Sequence, residues 1–169
     1  MYRHDEANFL KRGIRRSAGW KPLSLFFART LHLFDRAVFR LTRGRATFTS
    51  WLAGLPVAWM TTTGAKTGAK RTSPVLAIPA GDGRFVVIAS NYGQRNNPAW
   101  YHNLRAHPQS TLLFDGDRRE MVARELDGDE RDHWYARGVE IYPGWVQYEK
   151  RAPRRIPVME LSSPPASGG

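Results

Sequence analysis

Pro56-Val-Ala-Trp-Met-Thr-Thr-Thr-Gly-Ala-Lys-Thr-Gly-Ala-Lys-Arg-Thr-Ser-Pro74 is the stretch on which the fold turns. Residues 56–63 are rich in β-branched and aromatic side chains and run into a turn bounded by Gly64 and Gly68; strand character resumes over 71–79. The pair reads as a β-hairpin. Working outward, the Ala80-Gly-Asp-Gly83 turn leads into residues 84–90, whose near-continuous apolar run predicts a buried central strand. Residues 110–115, a Gly116-Asp117 turn and residues 118–126 predict a second hairpin. Residues 155–161 read as a last strand, with Pro157 consistent with a sheet edge.

Two helices interrupt the strands. Asn97 before Pro98 predicts an N-cap with proline at the first helical position and a short helix to about His107, stopped by Pro108. Asp127 with Glu130 has the spacing of a capping box, opening a helix over about 128–141 with Trp134 and Val139 facing inward. Residues 142–155 are aromatic, basic and broken by glycine and proline. Six strands joined largely by hairpins, with two helices inserted, describe a small antiparallel barrel of the α+β kind rather than a doubly wound parallel sheet. The chain divides into a basic arm and helix over 1–45, the barrel domain over 46–161, and a linker-like, disordered tail over 162–169.

Charge is concentrated at the front. Residues 1–45 hold eleven Lys/Arg against three acids, most of the net charge of +11. Within this arm, Leu23, Phe26, Phe27, Leu31, Phe34, Val38 and Leu41 fall on one face of a predicted helix over 22–42, and Arg29, His32, Arg36, Arg40 and Arg43 on the other. Such a helix either packs its apolar stripe on the barrel or lies on an anionic membrane surface. Its arginines argue against a membrane span, and the lack of an apolar run with a cleavage site argues against a secretory signal. No recognised nucleic-acid-binding motif accompanies the charge, so nucleic acid is not an expected partner. The absence of cysteine removes disulfides, thiolate nucleophiles and cysteine-bound zinc. The expected location is the cytoplasm, with a peripheral position on the inner face of the cell membrane if the helix binds lipid.

The five histidines show no metal-ligand spacing, and no metal is expected. Ser90 lies outside any Gly-x-Ser-x-Gly elbow, and no Gly-x-Gly-x-x-Gly motif is present. The turn at 61–74 is not a nucleotide P-loop either, because Ala65 precedes Lys66 and Met60 stands where the first glycine would be. Its glycines and its cations Lys66, Lys70 and Arg71 suit capture of phosphate or carboxylate. The backbone around Ser90 and Asn91 is placed to bond a heterocycle edge, and Trp100, Tyr142, Trp145 and Tyr148 supply aromatic walls. The set suggests a cofactor that carries the chemistry while the protein orients it.

Several of these motifs occur together in order: residues 61–74, Ala89-Ser90, Asn97-Pro-Ala-Trp-Tyr-His-Asn-Leu104, Tyr142-Pro143 and Arg155-Ile-Pro157. In this the chain resembles the deazaflavin-dependent nitroreductase family over about residues 50–161. The resemblance implies a split β-barrel that binds coenzyme F420, an 8-hydroxy-5-deazaflavin with an anionic phosphodiester and oligoglutamate tail; FMN is the alternative cofactor. By the family pattern, Lys66 and Arg71 match tail and phosphate contacts, and Ser73, Pro74, Ser90, Asn91, Trp100 and Asn103 fall on cofactor-binding segments. Tyr142, Trp145 and Tyr148 match substrate-pocket positions.

The implied reaction is hydride transfer from the reduced deazaflavin to a quinone, an enone or a nitro-compound, with a proton from Tyr142, Tyr148 or water. The rival class is a non-catalytic lipid-binding module. Relatives also associate with membranes through a basic amphipathic N-terminus. The chain departs from the pattern at Asn91-Tyr92-Gly93, where relatives often carry a Lys-Gly-Gly-like run, and at Trp145, where tyrosine is common. These departures predict weaker tail binding and give no basis for expecting nitro-drug activation. The sequence leaves the oligomeric state open.

Overall fold

The computed structural model describes residues 54–165; the predicted arm, its amphipathic helix and the last residues of the tail lie outside them. Six strands, β1 (Val57–Thr63), β2 (Lys70–Gly81), β3 (Arg84–Ile88), β4 (Gln109–Phe114), β5 (Asp117–Leu126) and β6 (Val158–Ser162), form the barrel. Helix α1 (Ala99–Ala106) lies between β3 and β4, and α2 (Gly128–Ile141) and α3 (Gly144–Arg151) lie between β5 and β6. The strand order β1-β2-β3-β6-β5-β4 closes through antiparallel pairing of β1 with β4, so no sheet edge is left open. The expected six-stranded α+β barrel is present.

The continuous apolar run of β3 has two destinations. Phe85, Val87 and Ala89 join Met60, Val75, Leu112, Met121, Met159 and Leu161 in one core. Val86 and Ile88, alternating with them, join Tyr135, Ile141, Trp145, Tyr148 and Val158 in a second. The first core fills the barrel and the second lies between its outer wall and α2–α3, which is why a single strand buries both faces. Helix α1 closes one end of the barrel with Trp100, Tyr101 and Leu104.

Five expectations are corrected. Residues 142–155 contain a third helix, α3, where glycine and proline suggested a broken loop; Pro143 and Gly144 start the helix instead of interrupting one. The last strand begins at Val158 and sits between β3 and β5, so it is an interior strand, and Pro157 avoids removing a ladder bond by preceding it. The Asp127 side chain makes no cap bond, and Glu130 instead holds Arg124 through two contacts of 2.9 Å. Helix α1 starts one residue later than predicted, with Pro98 at the cap position and its carbonyl accepting from Tyr101 N–H at 3.1 Å. On α2 the buried positions are Arg131, Tyr135, Gly138 and Ile141, while Trp134 and Val139 are half-buried at the rim of the second core.

Candidate active site

Strand register determines which end of the barrel carries the chemistry. Thr62 pairs with Arg71 and Ala77 with Val87, so β1 running forward, β2 running back toward Ser73 and β3 running on toward Ser90 all reach the same end. The connections 64–69, 89–108 and 127–157 leave from that end, whereas the opposite end has only the tight turns at 82–83 and 115–116 among the described residues. Every predicted site residue therefore lies on one end of the barrel or on the helices that grow from it.

The glycine turn is built to present cations. Gly64 N–H donates to Ala69 C=O at 2.9 Å and Gly68 N–H to Gly64 C=O at 2.8 Å, closing the turn on itself. Asn103, 8% exposed, braces it from α1: its Oδ1 accepts from Ala65 N–H at 3.0 Å and its Nδ2 donates to Thr62 Oγ1 at 3.0 Å. Lys70 Nζ donates to Thr63 Oγ1 at 3.0 Å. Lys66 and Arg71 are exposed, and neither side chain has an acidic partner among the described residues. Lys66 on the turn and Arg71 at the start of β2, neither with an acidic partner among the described residues, fit an anionic ligand group. Ser73 is half-buried and Pro74 exposed on adjoining β2, and Trp100 is packed in the barrel core.

The aromatic residues assemble separately. Trp145 Nε1 donates to Ser90 Oγ at 3.2 Å, joining α3 to the end of β3. The Tyr142 and Tyr148 hydroxyls meet at 2.8 Å, both buried. The chain can bring these rings together because Gly144 lies under Tyr142: a Cβ there would stand 2.5 Å from Cζ of that ring. Burial raises the Tyr142 and Tyr148 hydroxyls above the usual tyrosine value, so both stay protonated at neutral pH. This pair can donate a hydrogen bond; it cannot act as a resident base.

The same shift predicts a stability profile. A folded-state value raised above the unfolded one gives stability that is complete below about pH 10, the ordinary tyrosine value, and is lost as pH rises further. Urea unfolding of wild type should show an alkaline loss beginning near that pH that is smaller in a Tyr142→Phe/Tyr148→Phe double variant, where Tyr135, raised by the same burial, still contributes. An identical alkaline slope in both proteins would contradict the assignment.

One residue of the site was not anticipated. Arg154 Nη2 donates to the carbonyls of Ala89 (3.3 Å), Ser90 (3.1 Å) and Asn96 (3.2 Å), and its Nε to that of Gln94 (3.3 Å). It fastens both limbs of the 89–96 segment, within which Asn91 Nδ2 also donates to Asn96 C=O at 2.8 Å. Adjacent arginines gave no signal of which would serve: Arg155 instead pairs with Asp132 at 3.1 Å.

The family described as F420H(2)-dependent quinone reductase matches residues 34–162. The chain belongs to the F420H(2)-dependent quinone reductase family. An F420H(2)-dependent quinone reductase of Mycobacterium tuberculosis is 31% identical over 136 residues, covering 78% of this chain and 89% of the relative. A counterpart from Mycobacterium bovis is similar to the same extent. Among solved structures, an F420-H2 dependent reductase called FDR-A shares 36% identity with a TM-score of 0.58, covering 63% of this chain and 94% of that one. A second, described as a domain-swapped dimer, shares 32% identity with a TM-score of 0.61, covering 75% and 95%. The family membership carries F420 as the cofactor; the FMN alternative and the non-catalytic lipid module are set aside.

Proposed function

We propose that this quinone reductase family member reduces a quinone with F420H2 at the barrel end described above. When bound, the deazaflavin supplies a hydride, that is, two electrons and one proton; a quinone that takes this hydride and one further proton becomes a hydroquinone. What supports the reading is that the cationic turn and the segment carrying the buried tyrosine pair both leave the barrel at the same end. Lys66 and Arg71 hold the anionic tail, Ser73, Pro74, Ser90 and Asn91 line the way to the ring, and Asn103 keeps the turn in shape. Trp145 walls the acceptor side. Tyr142 and Tyr148 hold the further proton as a hydrogen-bonded phenol pair and direct it at a quinone oxygen.

Binding is the first test. F420 titrated against tryptophan fluorescence should bind wild type, and Lys66→Ala or Arg71→Ala should each weaken it about tenfold, within the range of charge-assisted hydrogen bonds. Equal affinity in wild type and both variants would remove the cationic turn from the cofactor site; preferential binding of FMN would overturn the F420 reading.

The segment 1–45 lies outside the described residues, and no described helix is long and apolar enough to cross a membrane. Its sequence supports a peripheral role, with the basic helix delivering the enzyme to anionic lipid where apolar quinones partition.

A further inference from the structure

We propose that Tyr92 is a wall of the quinone site that selects for fused-ring quinones. The inference rests on the acceptor lying beside the Tyr142–Tyr148 pair, as proposed above. Asn91 (φ 45°), Tyr92 (φ 56°) and Gly93 (φ 74°) are three successive residues in the left-handed region. Asparagine and glycine suit that backbone, but a bulky aromatic residue is an outlier there. Strained residues persist only where surrounding structure holds them, and they concentrate at functional sites.

Here the holding structure is explicit. Arg154 binds carbonyls on both limbs of the turn, Asn91 ties back to Asn96, and Gly93 is pressed against the α3 backbone. The outcome is an aromatic ring in a defined place: Tyr92 stands edge-on to Tyr148 with centroids 5.9 Å apart. At 38% it is the exposed large hydrophobic residue of the described chain. A planar ring of this kind, fixed next to the phenol pair, offers stacking area to a flat acceptor, and the area used grows with the number of fused rings. A naphthoquinone reaches it; a small benzoquinone held at the phenol pair gains less.

The test compares wild type with Tyr92→Gly, Tyr92→Asn and Tyr92→Phe, the first two being residues that favour the left-handed backbone. Thermal midpoints, F420 affinity by fluorescence, and KM and kcat for a soluble naphthoquinone and a soluble benzoquinone are measured. The expected result is an unchanged or raised midpoint and F420 affinity no weaker than wild type for the glycine and asparagine variants. Their naphthoquinone KM should rise about tenfold with little change for benzoquinone, and Tyr92→Phe should resemble wild type. An unmoved KM ratio, a weakened F420 affinity, or a lowered midpoint in both left-handed-compatible variants would overturn the role of Tyr92. If wild type reduces neither quinone with F420H2, it is the parent reading that fails.

Discussion

Gly93→Ala is expected to destabilise the protein by about 2 to 5 kcal/mol, a large fraction of the stability of a domain this size. Two independent causes combine. The backbone is left-handed at φ 74°, which costs a residue with a Cβ about 1 to 2 kcal/mol. The new Cβ would also stand 2.6 Å from the Tyr148 carbonyl oxygen and 2.9 Å from its Cα, so the clash is with helix backbone that cannot rotate away. Overpacking of this kind costs about 1 to 3 kcal/mol. Gly93→Asn separates the causes, because asparagine tolerates the left-handed backbone but meets the same carbonyl. Urea unfolding monitored by tryptophan fluorescence measures both, and a loss below about 1 kcal/mol for Gly93→Ala would show that the turn does not sit against α3.

The turn at Gly93 also shows where sequence reading reached its limit. Strands and their order along the chain were legible because each is bounded by glycine, proline or an Asp-Gly pair and carries β-branched residues, as in β1 and β3. Barrel closure was less so, since the β1–β4 pairing joins residues such as Thr62 and Ser110 that no local pattern links. Helix α3 was missed because proline and glycine at 143–144 have opposite meanings at a helix start and in a helix interior, and only the packing of Trp145 and Tyr148 decides between them. The cationic turn, Ser90, Asn91 and the aromatic residues were legible from their chemistry, and Ser73, Pro74 and Asn103 from motif resemblance, but neither tells which side chains are committed to structure. Asn103 is braced to the glycine turn, Trp100 is in the core, and Lys66 and Arg71 remain turned outward. Arg154 carried no sequence signal: its partners are four backbone carbonyls, and carbonyls are not written in side-chain identity.

Tyr148→Phe is expected to lower kcat for quinone reduction about 10²-fold, the lower end of what a positioned proton-transferring group contributes. The argument is geometric. Its hydroxyl lies 2.8 Å from that of Tyr142, both are buried, and burial keeps both protonated. In the proposed reaction one hydroxyl would donate to the quinone oxygen as it gains charge and the other would donate to the first, so that the pair would stabilise that charge as one unit. Removing either member leaves the remaining hydroxyl without its polariser and with its orientation lost. Tyr142→Phe should therefore cost a similar factor, and the double variant should cost little more than either single one, as expected for residues that act together. Independent contributions would instead multiply to about 10⁴-fold in the double variant. F420 affinity should be the same in all four proteins, which separates a role in proton delivery from damage to the cofactor site. Singles that each lose less than about threefold in kcat would remove the tyrosine pair from the reaction and leave solvent as the proton source.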